Sequence, residues 1–213
     1  SEMCIRDRGD EADVDARLAQ GTEDLAGDAG GSGHMAADGG DHSQLIKDVP
    51  TEEVPSLLGQ ADFHVEEIIG TYYISLNLNE PILQDVRVRK ALSLSIDREH
   101  VANTVMQGTY SAAYNFMGPG WTDANGEEFM TKTYLSNDYE ANLEEAKRLL
   151  TEAGFPNGEG LPAITYSTND SGYHKPVAEY LQQAWAELGV DVTVEVVEWA
   201  SFTPMRRNGE YMA

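Results

Sequence analysis

The sequence has little cysteine and little positive charge. One cysteine, Cys4, occurs in 213 residues, so no disulfide can form within the chain. Lysine and arginine number 14 against 37 aspartate and glutamate residues, which gives a formal net charge of −23. Nucleic acids and anionic lipid surfaces are recognised through clustered basic residues, so we expect neither as a partner. No apolar run reaches the roughly 18 residues of a membrane-spanning helix.

Catalytic and metal-binding signatures are also missing. The chain has no G-x-S-x-G, H-E-x-x-H, Walker or G-x-G-x-x-G pattern. Its five histidines lack the spacing of metal ligands. His34 and His42 share a segment with Asp38 and Asp41, but a flexible polar loop explains that composition better than a metal site. We therefore expect no enzyme activity, no cofactor and no metal.

Both ends suggest an internal fragment of a longer protein. Residues 1–8, Ser-Glu-Met-Cys-Ile-Arg-Asp-Arg, resemble a translated sequencing adapter, which would make Cys4 foreign to the natural protein; the alternative is an ordinary mobile N-terminus. A secretory signal is absent from the sequence. Residues 208–213 have the pattern of the start of a strand, where we expect the chain to be cut.

The first third of the chain is poor in structural signals. Six glycines lie in residues 26–42, and this Gly/Asp-rich stretch predicts a flexible insertion. Residues 50–53 suit a helix start with Thr51 as the cap, and Val54, Leu57 and Leu58 would form the apolar face. Alternating apolar residues then predict a strand over 72–78, ended by Pro81.

Capping residues and apolar periodicity predict three helices after this strand. Asp85 caps the first, whose buried face is Val88, Ala91, Leu92 and Ser95, with Arg87 and Lys90 directed to water. Asp97 caps the second, which ends near Gly108, and an aromatic loop is expected over 110–121. The third covers 139–153, with Gly154 as its C-cap.

A βαβ unit is predicted in the last third of the chain. Strands over 163–168 and 190–197 flank a helix with the apolar stripe Val177, Leu181, Ala184, Trp185 and Leu188. The two strands should be parallel and joined by a right-handed crossover. His174 and Trp199 then follow strand ends, where open α/β sheets bind ligands, and Arg206 comes two helical turns later. Taken singly, His174 also suits a helix start, Trp199 a core position, and Tyr72 and Tyr73 ordinary strand positions.

Two segments together carry a family resemblance. Residues 70–77, G-T-Y-Y-I-S-L-N, and 84–99, Q-D-V-R-V-R-K-A-L-S-L-S-I-D-R-E, resemble the central signature of family 5 extracellular solute-binding proteins. These proteins are the peptide-binding receptors of ABC importers, and the match is closest to the oligopeptide-binding branch. Further pieces agree at 107–110, 113–114, 118–120, 144–155 and 188–199, so the resemblance covers about residues 43–213.

The resemblance implies an α/β fold of incomplete lobes similar to the type II periplasmic-binding proteins, with the βαβ unit in the second lobe. Residues 9–67 would be the C-terminal part of the first lobe, with the insertion at 26–42. Residues 68–72 would cross the hinge, and 73–213 would be the first part of the second lobe.

The resemblance also implies the function and its residues. The protein would be the substrate-binding component of an ABC importer, a periplasmic or extracellular monomer that captures oligopeptides and delivers them to the permease subunits; the full-length protein could carry a lipoprotein anchor. Implied ligand-binding residues are Tyr72 and Tyr73 on the hinge-side strand, Tyr114 in a matching segment, His174 near the ligand carboxylate, and Trp199 and Arg206 in a side-chain pocket.

Departures from the family pattern leave alternatives open. The acidic anchor for the peptide amino group would lie beyond Ala213, and Met212 stands where relatives often carry aspartate. We therefore expect weak or no binding by this chain alone. The alternatives are a receptor of the same family for nickel, haem, an opine or a sugar, and an enzyme whose site has no recognised signature.

Overall fold

A computed structural model describes residues 2–6, 53–58, 60, 63, 70–117, 121–128, 133, 135–170 and 172–213, with backbone alone for 2–6. Contacts divide the chain into two units, Ser1–Asp7 with Pro50–Ala213, and Arg8–Val49. Outside the described residues lie three sequence predictions, the 26–42 insertion, the pair His34 and His42, and the Thr51 cap, together with residues 118–120 of the expected aromatic loop.

A three-stranded sheet brings the start of the chain to its middle. Strand β1 (Glu2–Arg6) lies between β2 (Thr71–Ser75) and β3 (Ser111–Ala112) and is parallel to both. The loop predicted over 110–121 therefore contains a short strand. This strand forms because its residues pair with β1, which is distant in sequence. That residues 1–8 are an adapter remnant stays a prediction.

The first helices begin close to their predicted positions. Helix α1 (Val54–Leu57) follows the N-cap Glu53. Helix α2 (Val86–Leu94) is capped by Asp85, whose Oδ1 accepts a hydrogen bond from the Arg87 amide at 2.8 Å. The predicted apolar face of α2 is buried. Arg87 does not simply extend into water, because its guanidinium also bonds Asp85 and donates to the Glu152 carbonyl at 2.6 Å.

The V-R-V-R-K-A-L and I-D-R segments each contain a buried arginine that binds backbone carbonyls at one end of α2, which explains why the two segments occur together. Arg89 donates to the carbonyls of Leu83 and Gln84, at 2.8 and 3.0 Å, in the 3₁₀ turn Pro81–Gln84 before α2. Arg98 donates to the Ser93 carbonyl in the last turn of α2 and to the Ile96 carbonyl just after the helix. Buried charge is tolerated when it is hydrogen-bonded, so these side chains fix both ends of α2.

Helix α3 (Arg98–His100) begins at the predicted cap, since Asp97 Oδ1 accepts from the His100 amide at 2.9 Å. It continues as a π-helical turn, Val101–Val105, which the sequence did not predict. Helix α4 (Tyr139–Ala153) has the predicted bounds, with Asp138 as N-cap and Gly154 as C-cap. The φ of +99° at Gly154 is a left-handed conformation that glycine adopts without strain.

The predicted βαβ unit is present and its strands are parallel. Strand β4 (Ile164–Asn169) pairs with β5 (Val192–Val197) in the register Ile164↔Val192, and α5 (His174–Ala186) connects them. All five residues of the predicted α5 stripe are buried. Within this core, the fully buried Trp185 donates its indole N–H to the Leu92 carbonyl at 3.0 Å, which joins α5 to α2.

Burial along β5 does not extend to the last alternate valine of the strand. Val196 is 50% exposed, because the packing that half-buries Val192 and Val194 does not extend to it. At the other end of the unit, Gly158 and Gly189 approach so closely that a Cβ on Gly189 would overlap the Asn157 carbonyl. Only glycine fits at these two positions, so the turn before β4 packs directly against the turn before β5.

The last residues pair with β4 on the edge opposite to β5. Helix α6 (Trp199–Asn208) ends at Gly209. The Ala213 amide donates to the Thr165 carbonyl at 3.1 Å, and the Ser167 amide donates to the Ala213 carbonyl at 2.9 Å, which is the parallel pattern. Among the described residues, none of the helices has the length and apolarity needed to cross a membrane.

Candidate functional site

A cavity of about 200 Å³ lies at the carboxyl ends of β4 and β5. Strand β2, helices α5 and α6 and the last residues of the chain form its walls. Parallel strands deliver their following residues to one edge of a sheet, which is why segments distant in sequence meet there. The lining residues are Tyr72, Tyr73, Ile74, Ser75, Tyr166, Ser167, Thr168, Asn169, His174, Trp199, Phe202, Arg206, Tyr211 and Ala213.

Tyr72 and His174 form a hydrogen-bonded pair in the cavity wall. The Tyr72 hydroxyl lies 2.7 Å from His174 Nδ1, which links β2 to the first residue of α5. Desolvation raises the pKa of the Tyr72 hydroxyl well above its usual value and lowers the pKa of His174 below 6.5. Both shifts favour uncharged side chains, so the pair presents neutral polar groups near pH 7.

An aromatic cluster supports this pair. The Tyr173 ring contacts Tyr72 edge-on, with ring centroids 5.5 Å apart, and lies 4.6 Å from the His174 ring. Tyr110 also packs edge-on against Tyr173, with ring centroids 5.4 Å apart. Edge-to-face packing restrains the rings, so the position of His174 is fixed by its neighbours as well as by its hydrogen bond.

One face of α6 supplies the outer wall. Trp199, Phe202 and Arg206 are spaced three and four residues apart and therefore lie on the same helical face. Trp199 is 51% exposed and stacks on Phe202, with ring centroids 6.1 Å apart. Phe202 was not predicted as a site residue, although its spacing from Trp199 and Arg206 could have indicated it.

The end of β4 supplies polar groups. Ser167, Thr168 and Asn169 are buried residues that line the cavity, and Ser167 Oγ lies 3.1 Å from the Glu195 carboxylate on β5. These three residues were not predicted as site residues from the sequence. Their position at the end of a predicted strand was the available signal, but which of them face a cavity depends on the elements packed above them.

Five of the six predicted site residues line this one cavity: Tyr72, Tyr73, His174, Trp199 and Arg206. Tyr73 packs against Phe116, with ring centroids 5.3 Å apart. Tyr114 lies elsewhere, and its hydroxyl donates to Glu99 Oε1 at 3.2 Å. Tyr211 and Ala213 were not predicted as site residues, and they complete the wall because the last residues pair with β4.

The described side chains that line the cavity lack the acidic groups that dominate the chain, and the Glu195 carboxylate adjoins the cavity only through Ser167. Of the described residues that line it, Arg206 has a permanent charge and none is an aspartate or glutamate, whereas the chain carries −23. No group of three or more potential metal ligands occurs among the described residues. Aromatic faces, hydroxyls, an amide and a guanidinium suit a polar organic ligand with an anionic group.

An α/β sheet with such a cavity at its strand ends is the architecture of a small-ligand-binding protein. The chain belongs to the bacterial extracellular solute-binding proteins, family 5, whose sequence model matches residues 36–213. Members of this family are solute-binding proteins that act outside the cytoplasm.

Curated relatives agree with the family match. The oligopeptide-binding protein OppA of Bacillus subtilis is 31% identical over 164 residues, which are 76% of this chain and 30% of the relative. The periplasmic oligopeptide-binding protein OppA of Escherichia coli K12 is 32% identical over 169 residues, which are 79% of this chain and 28% of the relative. The chain therefore spans about 30% of the length of these relatives.

The fold corresponds to one part of the larger fold of the type II periplasmic-binding proteins. The crystal structure of OppAIV, a periplasmic oligopeptide-binding protein from Borrelia burgdorferi, is similar with a TM-score of 0.67 and 31% identity. The match covers 78% of this chain and 32% of that one. The fold class expected from the sequence is confirmed, including its incompleteness relative to whole receptors.

Proposed function

We propose that this chain is part of the substrate-binding component of an ABC importer, which captures oligopeptides outside the cytoplasmic membrane and delivers them to the permease. The observation that carries the proposal is the cavity at the ends of β4 and β5, lined by Tyr72, His174, Trp199 and Arg206, in a chain of the solute-binding family.

The chemistry of the cavity fits a peptide. Extended peptides bind through main-chain hydrogen bonds, and the buried polar residues Thr168 and Asn169 at the end of β4 can make them. The Trp199 and Phe202 rings offer a broad apolar surface, which suits side chains of different shape because it makes no directional demand. Arg206 and His174 would receive a carboxylate, against the negative field of the chain.

The same proposal includes points that follow from the family expectation. We infer a monomer without catalytic activity or affinity for nucleic acid, and a lipoprotein anchor for the full-length protein as one option. Residues 9–67, with the insertion at 26–42, would belong to one lobe, 68–72 to the hinge and 73–213 to the other lobe. Tyr114 stays a predicted ligand contact, although it lies outside the cavity described above and its hydroxyl donates to Glu99.

Calorimetric titration of the whole receptor encoded by the gene, with a mixed pool of tri- to pentapeptides, tests the proposal. Trp199→Ala should weaken peptide binding at least about tenfold, because it removes the exposed aromatic wall. Trp121→Ala is the matched control: Trp121 is 46% exposed, close to the 51% of Trp199, and does not line the cavity. Binding by the control should be unchanged.

Two results would overturn the assignment. Absence of heat and of a thermal shift with every peptide in the pool would exclude a peptide receptor, and parallel titrations with haem and with Ni²⁺ would then identify the alternative solutes. Equal loss of affinity in the two tryptophan variants would show that peptides bind away from this cavity.

A further inference from the structure

Asn77 occupies a junction between β2 and the end of the chain. It lies two residues after β2 and is 8% exposed. Its side-chain Nδ2 donates to the carbonyls of Gly209 and Tyr211, at 2.9 and 2.6 Å, and its backbone amide donates to the Met212 carbonyl at 2.9 Å. Asn77 Oδ1 accepts from the Asn79 amide at 3.0 Å. One residue thus binds three carbonyls of the segment 209–212.

The hydrogen bonds fix the orientation of the amide. Two carbonyl oxygens can only accept, so the nitrogen must face them, and the Asn79 N–H can only donate, so the oxygen must face it. Both donors and the oxygen of the side chain are therefore used. Aspartate has the same shape and lacks the donors, which makes it the informative replacement.

The segment that Asn77 holds is a wall of the candidate site. Tyr211 and Ala213 line the cavity, and Ala213 pairs with Thr165 and Ser167 of β4. The amides of residues 209 and 210 bond back to α6, whereas the carbonyls of the segment bond to Asn77. Its position beside the sheet therefore depends on Asn77 as well as on β4.

We propose that Asn77 is a positioning residue of the ligand site: it holds residues 209–212 so that Tyr211 and Ala213 close the cavity beside β4. The role rests on the proposed function, in that the cavity must bind ligand. Asn77 does not line the cavity and would act through the segment alone.

The test compares Asn77→Asp with Asn79→Asp in the whole receptor. Asn79 is an exposed residue of the same type two positions later, so its replacement adds the same charge to the same turn without removing a donor to the segment. Two quantities are measured in each protein: the affinity for the peptide pool, and the hydrogen-exchange rates of the backbone amides at position 77, at Ser167 and at Ser95.

Asn77→Asp should speed exchange at position 77 and at Ser167 at least about tenfold and weaken peptide affinity by a similar factor. The Ser95 amide, which donates to the Ala91 carbonyl in the core, should keep its rate. Asn79→Asp should change neither quantity more than about twofold. A residue that merely stabilises the fold would instead speed exchange at Ser95 as well.

Protonation supplies a second readout. A protonated carboxyl regains one donor for a carbonyl of the segment, so the affinity of Asn77→Asp relative to the unsubstituted receptor should recover in part between pH 7 and pH 4.5. Asn77→Ala has no donor at either pH, and its relative affinity should stay low. If Asn77→Asp does not fold, Asn77→Ser is measured in its place for the exchange and affinity comparison.

Unchanged peptide affinity in Asn77→Asp would overturn the proposal, and so would global unfolding of both Asn77→Asp and Asn77→Ser. If the unsubstituted receptor binds no peptide, the proposed function fails, and the exchange rates at position 77 and Ser167 still report whether Asn77 holds the segment. The two failures are therefore distinguishable.

Discussion

The hydroxyl oxygen of Tyr72 lies 2.7 Å from Nδ1 of His174, although the two residues are 102 positions apart in the chain. This contact joins β2, which pairs with the N-terminal strand, to the helix of the βαβ unit. It also places two neutral polar groups in the wall of the cavity, so it connects the stability of the fold to the chemistry of the site.

Removal of the Tyr72 hydroxyl tests this contact. Tyr72→Phe keeps the ring against Tyr173 and leaves His174 Nδ1 without its partner, so the free energy of unfolding should fall by about 1 kcal/mol. Urea unfolding followed by circular dichroism measures it. Tyr73→Phe is a change of the same kind at the next position. It should lower the free energy of unfolding clearly less, because Tyr73 contacts Phe116 through its ring, which phenylalanine keeps. Equal losses would contradict the role of the pair.

The stability should depend on pH through His174. Desolvation lowers its pKa below 6.5, so at a pH between the folded-state pKa and 6.5 the unfolded chain binds a proton that the folded protein does not. The free energy of unfolding should therefore fall as the pH is lowered from 7.5 to 5.5. His174→Gln should reduce this dependence, because it removes the group that titrates differently in the two states. A slope in His174→Gln equal to that of the unsubstituted protein would contradict the assignment.

Replacement of Trp185 should lower the free energy of unfolding more than replacement of an exposed tryptophan. Trp185→Phe leaves a void and removes the donor to the buried Leu92 carbonyl, so we expect a loss of about 3 kcal/mol in unfolding free energy. Trp121→Phe, at a position that is 46% exposed, should cost less than about 0.5 kcal/mol. Guanidinium unfolding monitored by fluorescence gives both values, and a small loss in Trp185→Phe would argue against the packing of α5 on α2.

The contact between the turns at Gly158 and Gly189 is testable with two alanines. Gly189→Ala would need a positive φ and would also overlap the Asn157 carbonyl, so it should cost about 3 kcal/mol. Gly160 has a similar positive φ of +80°, but a methyl group added there would meet open space. Gly160→Ala should therefore lower the free energy of unfolding by about 1 kcal/mol. Thermal unfolding of both variants separates the steric contribution from the conformational one. Equal costs would mean that the turns are not in contact.

Local signals were sufficient for much of the fold. Helix α4 has the predicted bounds because Asp138 and Gly154 mark its ends within the sequence. The βαβ unit was predictable from periodicity, and the parallel pairing that follows from it placed His174, Trp199 and Arg206 at one edge. That part of the candidate site depends on local elements in a standard connection.

Long-range pairing accounts for what the sequence did not reveal. The pairing of β1 with β2 and β3, and the pairing of Ala213 with β4, join segments whose own residues carry no signal for their partner. Tyr211 and Asn77 were missed for this reason. The exposure of Val196 could not be predicted, because alternation along a strand reports its two faces but not how far the packed layer extends along it.

The most direct test of the account maps the ligand on the whole receptor by hydrogen exchange, with and without a saturating peptide pool. We predict slower exchange in the peptide complex at Thr168, Asn169 and the first turn of α6, with little change in the separate surface groove formed by His100, Gln107 and Gln183. Protection confined to that groove, or absent from the ends of β4 and β5, would contradict the claim that this cavity binds the peptide.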